Sequence, residues 1–206
     1  ASYWESPALN RPWLAAAETG AEIAHEMFRR ARPVLEARFG PRLSRESRAT
    51  IEWADAHGPA LLRRLAVTPR TLNHGDYRAD NIFFDSTLGE AGNVTIIDFQ
   101  ALTVGCPMID VAYFIRPNMD PADANAAESH LVEVYHHALV EAGVRGYSLD
   151  RCREDYVLGS LWVIHRGVLL IGTLDLSNER GMAMVDRAVE RALEATPNID
   201  LAAVRL

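Results

Sequence analysis

Asn73-His74-Gly75-Asp76-Tyr77-Arg78-Ala79-Asp80-Asn81, and after it Ile96-Ile97-Asp98-Phe99-Gln100, decide how this chain reads. Asp76 is followed by an amide-bearing Asn81, and a second aspartate, Asp98, closes the apolar run Val94-Thr95-Ile96-Ile97. Moving a phosphoryl group from a magnesium nucleotide to a hydroxyl requires one side chain to receive the hydroxyl's proton. It also requires hard oxygen donors that hold the cation against the phosphates. These residues match that need, with Asp76 as base and Asn81 and Asp98 as the Mg2+ ligands that also hold the nucleotide. Alone, Asp76 reads as a turn-forming aspartate after Gly75, and Asn81 as a loop asparagine bonded to its own backbone. The offsets taken together favour the chemical reading.

The neighbours fill in the site. Arg78 stands two residues past the base, where a guanidinium reaches a transferring phosphate, although a solvated loop arginine fits the sequence as well. His74 is read as a structural hydrogen-bonder beneath the loop, and Asp80 receives no assigned role. In Gly105-x-Pro107-x-x-Asp110, the aspartate opens a helix. It either serves that helix's dipole or accepts hydrogen bonds from the loop backbone and holds it rigid.

Around this segment the chain reads as α+β and mostly α-helical. Thr19-Gly20-Ala21-Glu22 resembles a capping box, and Ile23, Met27, Ala31 and Leu35 are placed on one buried face behind it. Pro33 is expected to kink or split that helix, and Gly58-Pro59 to break a second one that starts near Ser44. The middle third turns to short β-rich runs at 72–74, 81–85 and 94–99, with a hairpin connection at 88–93 and no strand before Thr71. Helices are expected again at 108–115, 121–142, 149–174 and 179–195. Arg29, Arg30 and Arg32 are read as a solvated face, and His165 as a satisfied core or cleft residue.

At 206 residues the chain can bury a full core. Its net charge of −7 argues against a nucleic-acid partner. The apolar stretch from Tyr156 to Leu174 is interrupted by His165 and Arg166, which argues against a membrane span. Cys106 and Cys152 lie too far apart for a metal motif and read as reduced thiols in a cytoplasmic protein. The chain holds no lysine and no G-x-G-x-x-G.

The block His74 to Phe84, H-G-D-Y-R-x-D-N-x-x-F, with I-D-F-Q and the later G-x-P-x-x-D-x-A-Y-F, resembles the aminoglycoside phosphotransferase and choline kinase-like superfamily. It is close to that group's bacterial, ecdysteroid-kinase-like members. Its order also follows the protein-kinase pattern of H-R-D-x-x-x-x-N and then D-F-G, with Gln100 in place of the last glycine. The resemblance implies that residues 1–206 form the α-rich C-terminal lobe of a kinase-like fold, the N-terminal nucleotide lobe with its lysine lying outside this sequence. It further implies ATP as co-substrate, Mg2+, a small-molecule hydroxyl acceptor, Asp76 as base, Asn81 and Asp98 as metal ligands, and Asp110 as loop anchor.

The acceptor stays open among an antibiotic, a sugar, and choline-like, nucleoside or sterol-like alcohols. Glu128, Glu133, Glu154 and Asp155 are the available acids for an acceptor's amino groups. Two other classes compete. One is a non-catalytic kinase-like binding module, which would explain the missing lysine if the protein starts at Ala1 but is opposed by the intact Asp76, Asn81 and Asp98 set. The other is a metal-dependent phosphohydrolase, disfavoured by the shortage of clustered His and Asp ligands.

Overall fold

Helix α5 (Leu149–Thr173) is the element around which the others are arranged. The computed structural model describes residues 2–67, 69–84, 94–173, 179–194 and 199–206. One side of α5 brings Cys152, Leu158 and Leu161 into a core with Leu61 and Leu65 of α2 (Arg45–Ala66). Met108, Ala112 and Ile115 of α3 (Met108–Ile115) and Val132 and Leu139 of α4 (Pro121–Glu141) complete it. Further along α5, Ile164, Val168 and Ile171 join Phe28, Ala31, Leu35 and Phe39 of α1 (Ala21–Phe39) with Val189 and Leu193 of α6 (Glu179–Glu194). A single helix therefore belongs to both apolar cores. At Gly159 its backbone lies so close to α3 that a Cβ would strike the Met108 carbonyl; only glycine permits that approach.

Several local expectations fail for identifiable reasons. Gly20, in the left-handed region at φ 76°, is the N-cap of α1 and gives no side-chain cap; Glu22 pairs with Arg63 at 2.7 Å instead of reaching back. Ile23 and Met27 are exposed, whereas His25, Phe28, Ala31, Leu35 and Phe39 point inward. Repeated four-residue steps drift around a helix with 3.6 residues per turn, so the buried stripe needs mixed three- and four-residue spacing. Neither Pro33 nor Pro59 ends its helix. The buried residues on both sides, Ile51 and Ala54 before Pro59 and Leu61 and Leu65 after it, are committed to the shared cores. That packing outweighs one missing backbone bond. Arg29 and Arg32 are held by Asp55 of α2, and Arg30 by Glu26.

The β structure is small and local. Strand β1 (Ala15–Ala16) lies parallel to β5 (Thr103–Gly105), which runs antiparallel to β2 (Thr71–Asn73). Neither β1 nor β5 is legible as a strand in sequence, because both are too short to show alternation. Strands β3 (Ile82–Phe84) and β4 (Val94–Ile96) form an antiparallel hairpin with Ile82 opposite Ile96. The expected connection at 88–93 lies outside the described residues. Within the hairpin, Phe83, Phe84, Val94 and Ile97 are exposed, so the run before Asp98 is not the buried strand that its composition implies.

Both cysteines are buried and free, and burial raises the Cys152 thiol to about 11. Among the described residues, no helix is long and apolar enough to cross a membrane. The fold is α+β, mostly helical, with a small sheet that launches the loop at His74.

Candidate active site

The sheet fixes where the loop begins. Asn73, the last residue of β2, is buried and donates its side-chain amide to the Cys106 carbonyl at 3.1 Å, tying the loop's start to the approach of α3. Asp110, in the first turn of α3, then receives the loop's next two backbone N–H groups, His74 at 2.6 Å and Gly75 at 2.9 Å. Both carboxylate oxygens are therefore engaged by loop backbone. Burial pushes the Asp110 carboxyl above the ordinary carboxylate value, against the pull of those two donors. Gly75 has φ 78°, and a Cβ there would collide with the Ala101 carbonyl, so the turn needs glycine on both counts.

His74 lies beneath the loop. Its Nε2 is 2.8 Å from the Ile97 carbonyl, and its Nδ1 accepts from the Asp76 backbone N–H at 3.3 Å. A carbonyl can only accept, so Nε2 carries the proton and Nδ1 is the acceptor. One ring thus connects the residue before Asp98 to the backbone of Asp76. Tyr77 and Phe99 pack against the same imidazole.

Asp76 and Asn81 meet directly. The Asn81 amide nitrogen donates to the Asp76 carbonyl at 2.9 Å and to Asp76 Oδ2 at 3.2 Å. With its nitrogen so committed, buried Asn81 keeps its oxygen, a hard donor suited to Mg2+, for another partner. Asp98 comes alongside through the hairpin: Ile97 N–H donates to the Asn81 carbonyl at 3.0 Å, and Asp98 follows at φ 65° with an exposed carboxylate. The αL backbone, uncommon for a non-glycine residue, turns Asp98 out of the strand direction. Gln100 Nε2 donates to Asp98 Oδ2 at 3.3 Å. One amide oxygen and one carboxylate on adjoining backbone suit a cation that takes its remaining ligands from phosphates and water.

Arg78 leans back on Asp76, its Nε 3.4 Å from Asp76 Oδ2 and its Nη1 4.0 Å from Asp80 Oδ2. Asp76, Arg78, Asp80 and Gln100 line a cavity of about 550 Å³ closed by Tyr113, Asn118, Arg166 and the α6 residues Met184, Arg187 and Arg191.

Sequence reasoning missed that far wall. Asn118 accepts from Ala79 N–H at 3.0 Å and donates to the Tyr113 and Phe114 carbonyls, pinning the loop's outer end to α3. Burial raises the Tyr113 phenol; Arg166 opposes that shift and Asp76 adds to it, so this hydroxyl feels both charges. Pro117 just after α3 marks a helix stop, but nothing in the sequence ties Asn118 to a loop so far upstream.

The acids considered for an amino-bearing acceptor are elsewhere. Glu128 is buried on Arg116 at 2.8 Å, Asp155 on Arg64 and Arg151, and Glu133 on Arg153. Neither they nor Glu154 line the cavity.

Comparison with known proteins bears on the same segment. The sequence model described as the ecdysteroid kinase-like family matches residues 13–145, more than half of the chain and all of the loop, hairpin and α3 region. A search of curated proteins finds no match.

Proposed function

This chain belongs to the ecdysteroid kinase-like family, and on that premise we propose that it transfers the γ-phosphoryl group of ATP to a hydroxyl of a small molecule. The observation that carries the reading is the junction of Asp76 and Asn81, bonded side chain to side chain at 3.2 Å, with Asp98 emerging from the backbone paired to Asn81. Asn81 Oδ1 and the Asp98 carboxylate would hold Mg2+, which when bound neutralises charge on the nucleotide phosphates.

The chain's own groups do the rest. Asp76 accepts a hydrogen bond from the acceptor hydroxyl and aims its oxygen at the γ-phosphorus. As the new O–P bond forms, the bond from phosphorus to the bridging oxygen breaks, its electron pair leaving on ADP, and the hydroxyl proton passes to Asp76. Asn81 keeps the carboxylate from rotating, and His74 holds the backbone of the same residue. Asp110 fixes the turn before it, so that the base arrives pre-oriented. Arg78, already beside Asp76, can turn a guanidinium N–H to the transferred phosphoryl oxygens.

The test is ADP release by the intact protein across a panel of hydroxylated metabolites. Asp98→Ala should abolish magnesium-nucleotide turnover. Asp76→Asn should lower the transfer rate by about 100- to 10,000-fold while nucleotide binding survives. Turnover that persists in both variants would refute the assignment.

A further inference from the structure

We propose that the acceptor is itself an anion, a hydroxyl compound bearing a carboxylate or phosphate that the arginines opposite Asp76 receive. This rests on the phosphotransferase reading and extends it to the substrate class. Four arginines line the cavity, Arg78, Arg166, Arg187 and Arg191, against two acids, Asp76 and Asp80. Arg78 is already paired with both acids. Among the described residues, none of the other three has a carboxylate within ion-pair distance.

Helix α6 shows how that arises. Two of its acids, Asp186 and Glu190, pair with Arg38 of α1 and with Arg42 just beyond that helix. Arg187 and Arg191, one residue on from each, line the cavity. At these four positions charges of opposite sign are thus sorted, acids to the helix contact and bases to the hollow. Arg191 donates to the Asn118 carbonyl at 3.2 Å, which leaves its charge uncompensated.

Arg166 adds an independent observation. It lies over the rings of Tyr113 at 5.6 Å and Trp162 at 5.4 Å, and its Nε is buried with no hydrogen-bond partner. A guanidinium positioned over aromatic rings retains N–H donors that can meet an anion. In a chain of net charge −7, three cations without a carboxylate partner among the described residues line one partly open hollow and favour negative charge there. A cationic acceptor would meet them with repulsion, and Glu128, Asp155 and Glu133 are paired away from the cavity.

The experiment measures ADP release by the intact protein on matched acceptors: glycerate and glycerol 3-phosphate against glycerol, and gluconate and glucose 6-phosphate against glucose and glucosamine. Anionic members should show at least about tenfold higher kcat/KM than their neutral or amino partners, corresponding to one well-placed charge contact. The two kinds of anion are compared side by side to separate carboxylate from phosphate. In the R187Q/R191Q variant, on a largely solvent-facing helix edge, the KM for the favoured anion should rise at least tenfold and the KM for ATP less than twofold.

Preferential turnover of glucose, glycerol or glucosamine would overturn the proposal and leave the phosphotransferase reading standing. So would a rise confined to the KM for ATP, since the arginines would then serve the nucleotide. A silent panel with Asp98-dependent magnesium-ATP binding intact overturns the proposal alone. A silent panel without such binding removes both.

Discussion

The helical core around α5 and the loop-hairpin segment before α3 use the same kinds of residue to opposite ends. In the core, Phe28, Leu35, Leu61, Leu65 and Leu161 have lost all contact with solvent. In the hairpin, Phe83 and Phe84 keep more than half of their surface exposed, 57% and 69%. The core's position comes from apolar packing. The hairpin, too short to be stable alone, is positioned by a few directed bonds: Ile97 to Asn81, His74 to Ile97, and Asp110 to the loop. Stability and chemistry are thus separable here, and substitutions can measure how far.

The largest combined effect is expected where the two regions join. Asp110→Ala would strip the acceptors from two loop N–H groups, destabilising the fold by about 2–4 kcal/mol and cutting turnover by about 100-fold through misplacement of Asp76. Urea denaturation and ADP release on the same preparation check both. Rates that fall only in proportion to the unfolded fraction would break the claimed separation.

Next, Leu161→Ala opens a cavity where two cores share a helix and should cost about 3 kcal/mol. Turnover per folded molecule should stay within about twofold well below the melting temperature, since the residue makes no bond to the loop.

Acidification should reach the core first through its histidines. His165 lies 3.5 Å from His25 and is stacked on Phe28; burial, then the neighbouring His25, lowers its pKa to about 4. The unfolded chain takes up that proton near 6.5, so stability is unaffected above this value and falls as pH drops toward 4, by up to roughly 3 kcal/mol. His165→Gln should flatten this limb in denaturation curves recorded at successive pH values. The Asp55 contribution is set apart from it: burial raises its carboxyl, but the bonds from Arg29 and Arg32 prevail and hold it below 3.8, so its share is lost only in stronger acid.

The smallest effect on folding is expected at the hairpin. Phe83→Ala should shift stability by no more than about 0.5 kcal/mol, and a larger loss would show that this face is packed more tightly than its exposure indicates.

The sequence was most readable where chemistry constrains it. Asp76, Asn81 and Asp98 were selected by spacing; Asn81 bonds Asp76 side chain to side chain, and the residue before Asp98 pairs with the Asn81 backbone. The four helices after Pro107 fall within a residue or two of their expected limits. Legibility fails where context decides. Val94-Thr95-Ile96-Ile97 looks like a core strand because composition cannot tell which face of a two-stranded ribbon has a partner. Pro59 looks like a helix end because propensity ignores the cores on either side. Arg166, Arg187 and Arg191 carry no local signal, since each lies far along the chain from the loop it faces. Asp110 offered two readings, and only its position beside Gly75 distinguishes them.

The grip of Asp110 on the loop has a further consequence. Helix α3 touches α5 at the Met108–Gly159 crossing, and the carboxylate that steadies His74 and Gly75 stands two residues further along. On the proposed phosphotransferase reading, the accuracy with which Asp76 is aimed is therefore borrowed from a buried helix crossing. Evolution of new acceptors can reshape the cavity's outer wall while that crossing keeps the reacting centre in register.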